Sequence, residues 1–275
     1  MADQDVQLSS KHQNILNRFV EACEADPRVV AAFLIGSNAK GKADEYSDLD
    51  LYIVTADEAL DDFAATRETF ARSLGEPLFI EDFGGPNIVF LMFADGSDVE
   101  IYYTTESQLG GFFNAPYKVL LDKKDITAGI FPSETKVDQA DQTVKLRRLI
   151  HWFWHDFAHF VTALGRNQLW WAGGQLAVLR SICVALARLR NDFADPEVDE
   201  EVYFKIEDAM PVEKLLPLKD TFCPMQKEAM LTAAFVIVDF YREAATGLAQ
   251  EHGIAYPEAL EKVIVERLKK VRDQS

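Results

Sequence analysis

Hydrophobic positions along this chain follow two different periods, and the change falls near residue 132. Before it, short apolar runs are separated by turn residues. Val29–Ile35 is apolar throughout, as a strand covered on both faces should be. In the next run, Leu49 and Leu51 point toward a core, so Asp48 and Asp50 share the opposite face of the strand. Glu76–Asp82 and Asn87–Phe93 read as strands about a Gly84-Gly85-Pro86 turn. Asp95-Gly96 then leads into Val99–Thr104, the third strand of a meander. Tyr117–Asp122 is a last short strand. One helix precedes the strands, with Ile15, Leu16, Phe19, Val20 and Cys23 as its apolar stripe, a cap at Ser9 or Ser10, and Asp26-Pro27 as its end. A second is opened by a capping box, Thr55–Glu58, and closed by Gly75.

Pro132 and Ser133 break the chain, and helical periodicity takes over to the end. Val144–Leu164 gathers Leu146, Leu149, Ile150, Phe153, Phe157, Phe160 and Leu164 on one broad face. Leu169–Arg190 is a second long helix. Shorter pieces near Glu200–Met210 and Val212–Leu218 are broken by Pro211 and Pro217, and Met225–Gln250 and Pro257–Val271 close the chain. The fold class expected is α+β. An N-terminal α/β domain with a mixed sheet spans residues 1–132, and a C-terminal helical bundle spans 133–275.

Composition narrows the function classes. The chain has 275 residues, of which 48% are hydrophobic and 27% charged, within the range of ordinary globular proteins. Its formal net charge of −17 argues against a nucleic-acid groove and favours a small or cationic acceptor. Cys23, Cys183 and Cys223 have neither metal-like nor paired spacing, so reduced thiols and a cytoplasmic location are expected. The polar N-terminus lacks a signal-peptide core, and no run of eighteen apolar residues is present, so no membrane span is expected.

Candidate chemistry concentrates in Phe33–Val54. Two carboxylates on one face of an otherwise apolar strand call for a shared cation or proton. Asp48 and Asp50 are read as ligands of a Mg²⁺ that carries a nucleoside triphosphate, because Mg²⁺ is held by one or two carboxylates plus substrate phosphates. Gly36 permits close backbone approach, and the Ser37 hydroxyl with its neighbouring N–H groups can cradle a phosphate. On the strand Val99–Thr104, Asp98, Glu100 and Tyr102 share a face. Farther on, Lys145, Arg147 and Arg148 are cations suited to phosphates, or else a solvated helix face. His151, His155 and His159 share one helix face but lack an HExxH context, which favours a structural role over a metal site. Trp170 and Trp171 read as core aromatics that could otherwise line a cleft. The Thr105–Pro116 loop reads as a lid or an acceptor contact.

The Gly36-Ser37 turn, the loop with Gly41 and Lys42, and Ser47–Leu51 (SDLDL) together resemble the signature of the DNA polymerase β-like nucleotidyltransferase superfamily. The two-part layout resembles its antibiotic nucleotidyltransferases, with the lincosamide type nearest and the aminoglycoside adenylyltransferases similar. Several lincosamide-type enzymes carry D-x-E where this chain has Asp48-Leu-Asp50. The resemblance implies a site between the two domains, where a nucleoside monophosphate passes from an NTP to a drug hydroxyl and pyrophosphate leaves. It makes Glu100 the third acid, as metal ligand with Asp48 and Asp50 or as general base, with Asp98 as second choice. Gly36, Ser37, Lys42, Ser47 and Arg147 become the nucleotide-binding candidates. Expected partners are the NTP and a small hydroxylated acceptor, not nucleic acid or membrane. Two other readings stand beside it: a nucleotidyltransferase of this fold acting on a protein or RNA, and a nucleotide-binding module without catalysis. The sequence leaves open the NTP, the acceptor hydroxyl, and whether a homodimer completes the site.

Overall fold

The computed structural model describes residues 10–85, 87–109, 117–129, 139–190, 202–204 and 206–273. Ser9, Pro86, residues 110–116 of the expected lid loop and residues 130–138 around the expected boundary lie outside these. The fold is α+β, and the chain divides into two compact units, Met1–Lys136 and Val137–Ser275.

In the first unit, α1 (Ser10–Ala25) leads to β1 (Val29–Leu34), a single helical turn α2 (Gly36–Ala39) and β2 (Leu49–Thr55). Then come α3 (Leu60–Ser73), β3 (Phe79–Glu81), β4 (Ile88–Met92), β5 (Asp98–Thr105) and β6 (Lys118–Asp122). The strands form one mixed sheet in the order β3-β4-β5-β2-β1-β6. β3, β4 and β5 make the expected antiparallel meander, whereas β2 runs parallel to β5. Every residue of β1 is buried, as its unbroken apolar run requires. One sheet face is sealed by α1 and α3: Leu49, Leu51, Ile53, Val99, Ile101 and Tyr103 pack with Phe19, Phe63 and Phe70.

Two local expectations fail for physical reasons. The Thr55–Glu58 capping box is not made. Thr55 closes β2, its hydroxyl donates across the sheet to the Thr104 carbonyl (3.1 Å), and α3 starts after a 3₁₀ turn at Asp57–Ala59. Pro217 does not break its helix but lies within α7, introduced below. Leu218, the next residue, is buried in the bundle core, and that packing holds the turn against the lost bond.

The turn from α1 into β1 is held by charge. The Asp26 carboxylate accepts the Arg28 backbone N–H (2.9 Å) and its guanidinium (2.7 Å at Nη2), while Arg28 Nη1 donates to the Asp62 carbonyl (2.9 Å) and Thr66 hydroxyl (2.7 Å). The Arg28 hydrogen bond, foremost, holds the Asp26 carboxyl below its ordinary range. A depressed carboxyl stabilises the fold above its unfolded pKa, about 3.9, and that contribution vanishes as pH falls through the lower folded value. Asp26→Asn is therefore expected to cost about 1–3 kcal/mol at neutral pH. The cost should shrink toward nothing in strong acid, and urea unfolding at both pH values checks this.

The second unit is a helical bundle of α4 (Gln139–Gly165), α5 (Leu169–Arg190), α6 (Ile206–Ala209), α7 (Val212–Lys219), α8 (Lys227–Glu251) and α9 (Glu258–Asp273). Phe153 stacks on Tyr241 at 3.6 Å between ring centroids, and the Tyr241 hydroxyl donates to the Ile150 carbonyl (2.7 Å). The α4–α5 turn is set by Asn167 at φ +57. By length and composition α5 could cross a bilayer, and it is the one such helix among the described residues. In this unit its Leu176, Leu179, Cys183 and Leu186 are buried in the bundle core, and buried Arg180 donates to the Thr221 hydroxyl (2.6 Å) and carbonyl (2.8 Å).

Candidate active site

The face of the sheet opposite α1 and α3 carries the acids. Because side chains alternate along a strand, Asp50, Tyr52 and Val54 of β2 stand on this face with Glu100, Tyr102 and Thr104 of β5. The parallel register sets Asp50 directly beside Glu100 and Tyr52 beside Tyr102. Neighbouring strands lie about 4.8 Å apart, so two carboxylates meet side by side. Glu100, not Asp98, occupies the position beside Asp50. Asp98 stands one step back along β5 and is exposed.

The turn after β1 clamps this arrangement. Gly36 has φ +67, and a Cβ built on it would lie 1.7 Å from Asp50 Oδ2, so the carboxylate fills the space that any other residue needs. The Ile35 N–H donates to the Asp50 carbonyl (3.0 Å), and buried Asn38 donates through Nδ2 to the Asp48 carbonyl (2.6 Å). One short turn thus fixes the backbone of both aspartates. Asp48 itself lies just ahead of β2, whose first residue is Leu49.

Two polar atoms in the same turn, Ser37 Oγ and Asn38 Oδ1, are buried without a hydrogen-bond partner. Buried polar groups are almost always paired, so a hydroxyl left over beside the acids fits a ligand atom delivered from outside the chain. The other loop candidates are occupied differently. The Ser47 hydroxyl accepts the Asp44 N–H (2.9 Å) and donates to Asp44 Oδ1 (3.0 Å), shaping the loop. Lys42 is exposed, and its backbone N–H donates to the Ser37 carbonyl (3.0 Å).

Electrostatics tie the acids together. The Tyr102 hydroxyl donates to Glu100 Oε2 (2.6 Å), and the ring stacks on Tyr52 at 6.2 Å. Burial, then the bond to Glu100, then the charges of Glu100, Asp50 and Asp48 push the Tyr102 phenol well up. All three candidate acids therefore bear on one phenol. Tyr52 is pushed up to about 12 by burial. From α1, the buried imidazole of His12 is pushed down by burial and by Lys11, against the opposing charges of Asp95 and Asp48.

These oxygen donors suit a hard divalent cation. Among the described residues no group of three or more His, Cys, Asp or Glu is gathered as a metal cage. An adjacent carboxylate pair with an unpartnered hydroxyl instead fits an ion that arrives with phosphates, which supply the remaining ligands.

The candidates of the second unit stand on their own helices. Lys145, Arg147 and Arg148 are exposed on α4, with the Arg148 guanidinium 5.6 Å from the Trp152 ring centroid. His155 and His159 meet edge to face at 4.7 Å, His155 Nδ1 lies 2.9 Å from Asp156 Oδ1, and His151 Nε2 lies 3.2 Å from the Ala255 carbonyl oxygen. Trp170 and Trp171 are not core residues. They are 86% and 38% exposed, because the buried face of α5 starts at Ala172 and runs through Leu176 and Leu179.

Asn38 and Tyr102 escaped the sequence reading as site residues. Tyr102 carried a signal, two residues beyond Glu100 on the same strand face. Asn38 carried none, since its partner lies ten residues away across a loop.

The family model for streptomycin adenylyltransferase matches residues 10–271 of this chain. No curated protein matches it. Among solved structures, the crystal structure of an aminoglycoside 6-adenyltransferase from Bacillus subtilis aligns over 96% of this chain and 99% of its own, with 14% identity and a TM-score of 0.43.

Proposed function

Because this chain belongs to the streptomycin adenylyltransferase family, we propose that, as a nucleotidyltransferase, it moves a nucleoside monophosphate from an NTP to a hydroxyl of a small antibiotic and releases pyrophosphate. Of the two subclasses that the sequence resembles, the matching family is on the aminoglycoside side. The observation that carries the site assignment is the register of Asp50 beside Glu100, with the unpartnered Ser37 hydroxyl in the turn against Asp50.

In this reading Ser37 and the amides of its turn hold the terminal phosphates. Asp48 and Asp50, with Glu100 alongside, would hold a Mg²⁺ whose chemistry is to neutralise charge on the triphosphate. Glu100 is the base. The Tyr102 hydroxyl donates to its Oε2 and orients the carboxylate. As that proton passes to Glu100, the acceptor oxygen bonds to the α-phosphorus, the bond to the bridging oxygen breaks, and pyrophosphate departs with the electron pair. Positioning and charge stabilisation supply most of the acceleration. The first unit is the catalytic domain, the helical unit the substrate-binding domain, and the enzyme works in the cytoplasm without nucleic acid or membrane partners.

Incubation with α-labelled ATP or GTP, Mg²⁺ and a panel of aminoglycosides and lincosamides tests this. Label is expected on one drug, located by mass spectrometry at a hydroxyl. Label on protein or RNA alone, or on no acceptor at all, would reject the proposal.

A further inference from the structure

His151, His155 and His159 recur every fourth residue along α4, and all three are exposed, so none of them serves the bundle core. They are not equivalent. His151 is engaged, with Nε2 3.2 Å from the Ala255 carbonyl oxygen. His155 and His159 instead meet each other, with ring centroids 4.7 Å apart and ring planes at 68°.

That separation is the one two imidazoles take when they share an ion. A ring nitrogen ligates a divalent transition metal at about 2.0–2.1 Å, and the ring centroid lies about 1.1 Å farther on. Two such rings at ligand angles of about 90–109° have centroids about 4.5–5.1 Å apart. The Asp156 carboxylate supplies the support such a ligand needs. It lies 2.9 Å from His155 Nδ1, and it is the less exposed partner, 22% against 57% for the imidazole. A carboxylate behind the ring fixes its orientation and leaves Nε2 to ligate, as in other metal-bound histidines.

Imidazole nitrogen suits Cu²⁺, Ni²⁺ and Zn²⁺, whereas Mg²⁺ seeks oxygen. Among the described residues no third His, Cys, Asp or Glu completes a cage. The ion therefore keeps positions for water or an outside ligand atom, which makes the site an exchanging one and not a structural one.

We propose that His155 and His159 form a two-histidine site for a divalent transition-metal ion, with Asp156 orienting His155. The site is built wholly from α4 and does not rest on the proposed nucleotidyl transfer.

Two tryptophans can report on it. The Trp152 ring centroid is 5.0 Å from that of His155, and the Trp171 ring centroid is 5.8 Å from that of His159. Titration of the untagged, metal-free full chain with Cu²⁺ or Ni²⁺ should quench tryptophan fluorescence saturably, with Cu²⁺ the tighter ion. Excess Mg²⁺ should neither quench nor compete. His155→Asn and His159→Asn should each weaken binding about tenfold or more, and Asp156→Asn about tenfold. His151→Asn should leave the affinity unchanged, and all four variants should keep the natural melting temperature. The Cu²⁺ complex should show nitrogen hyperfine splitting by electron paramagnetic resonance, and the double variant of His155→Asn with His159→Asn should lose it. No saturable binding by the natural chain, or unchanged affinity and spectrum in the double variant, would overturn the site. So would a loss in His151→Asn equal to that in His155→Asn, which would move the ion off the proposed pair.

Discussion

Asp50→Asn is expected to lower nucleotidyl transfer by about a thousandfold or more, the scale of removing a principal electrostatic partner of the transition state. The loss should fall on kcat, because the amide keeps the shape of the carboxylate and removes its charge. Folding should not suffer. Asp48, Asp50 and Glu100 all press on the Tyr102 phenol, and like charges gathered on one face repel one another. Neutralising one should leave the melting temperature unchanged or raise it, the usual relation between an active site and stability. Circular dichroism melts with single-turnover kinetics check both halves. A variant that keeps its rate would remove Asp50 from the mechanism, and one that unfolds would make the residue structural.

Gly36→Ala should be nearly as damaging, by a different route. At φ +67 a side chain costs about 1–2 kcal/mol. The new methyl would also lie 1.7 Å from Asp50 Oδ2 and 2.7 Å from its Cγ, so the carboxylate must move. A displacement of about 1 Å at a reacting centre costs on the order of a hundredfold in rate. Since the variant acts through Asp50, the two substitutions should not add, and Gly36→Ala with Asp50→Asn should be no slower than Asp50→Asn alone. Additive losses would show that Gly36 serves the phosphates independently. A natural rate in Gly36→Ala would show that the Asp50 carboxylate is not needed where the structure has it.

What the sequence made legible was local. The unbroken run Val29–Ile35 shows β1, the alternation through Leu49 and Leu51 shows which way Asp50 turns, and the period change shows the helical half. What it hid was pairing between distant segments. Nothing near Glu100 says that β5 will run parallel to β2 and bring that residue, not Asp98, beside Asp50. Nothing near Asn38 says that its amide will hold the Asp48 carbonyl. Thr55 misled because the same hydroxyl can cap a helix or bond across a sheet, and tertiary structure chose the sheet. Trp170 misled because a large aromatic at a helix start is assigned to the interior by its bulk, while the interior was already claimed by Ala172 and Leu176.

The parallel pairing of β2 with β5 has a consequence for biosynthesis. A growing polypeptide that has exposed the Gly36 turn and both aspartates still lacks their partner until Thr105 has left the ribosome, since loop closure over so long a span comes late. Nascent chains stalled before that point should protect the β1–β2 amides from deuterium exchange far less than chains released after it.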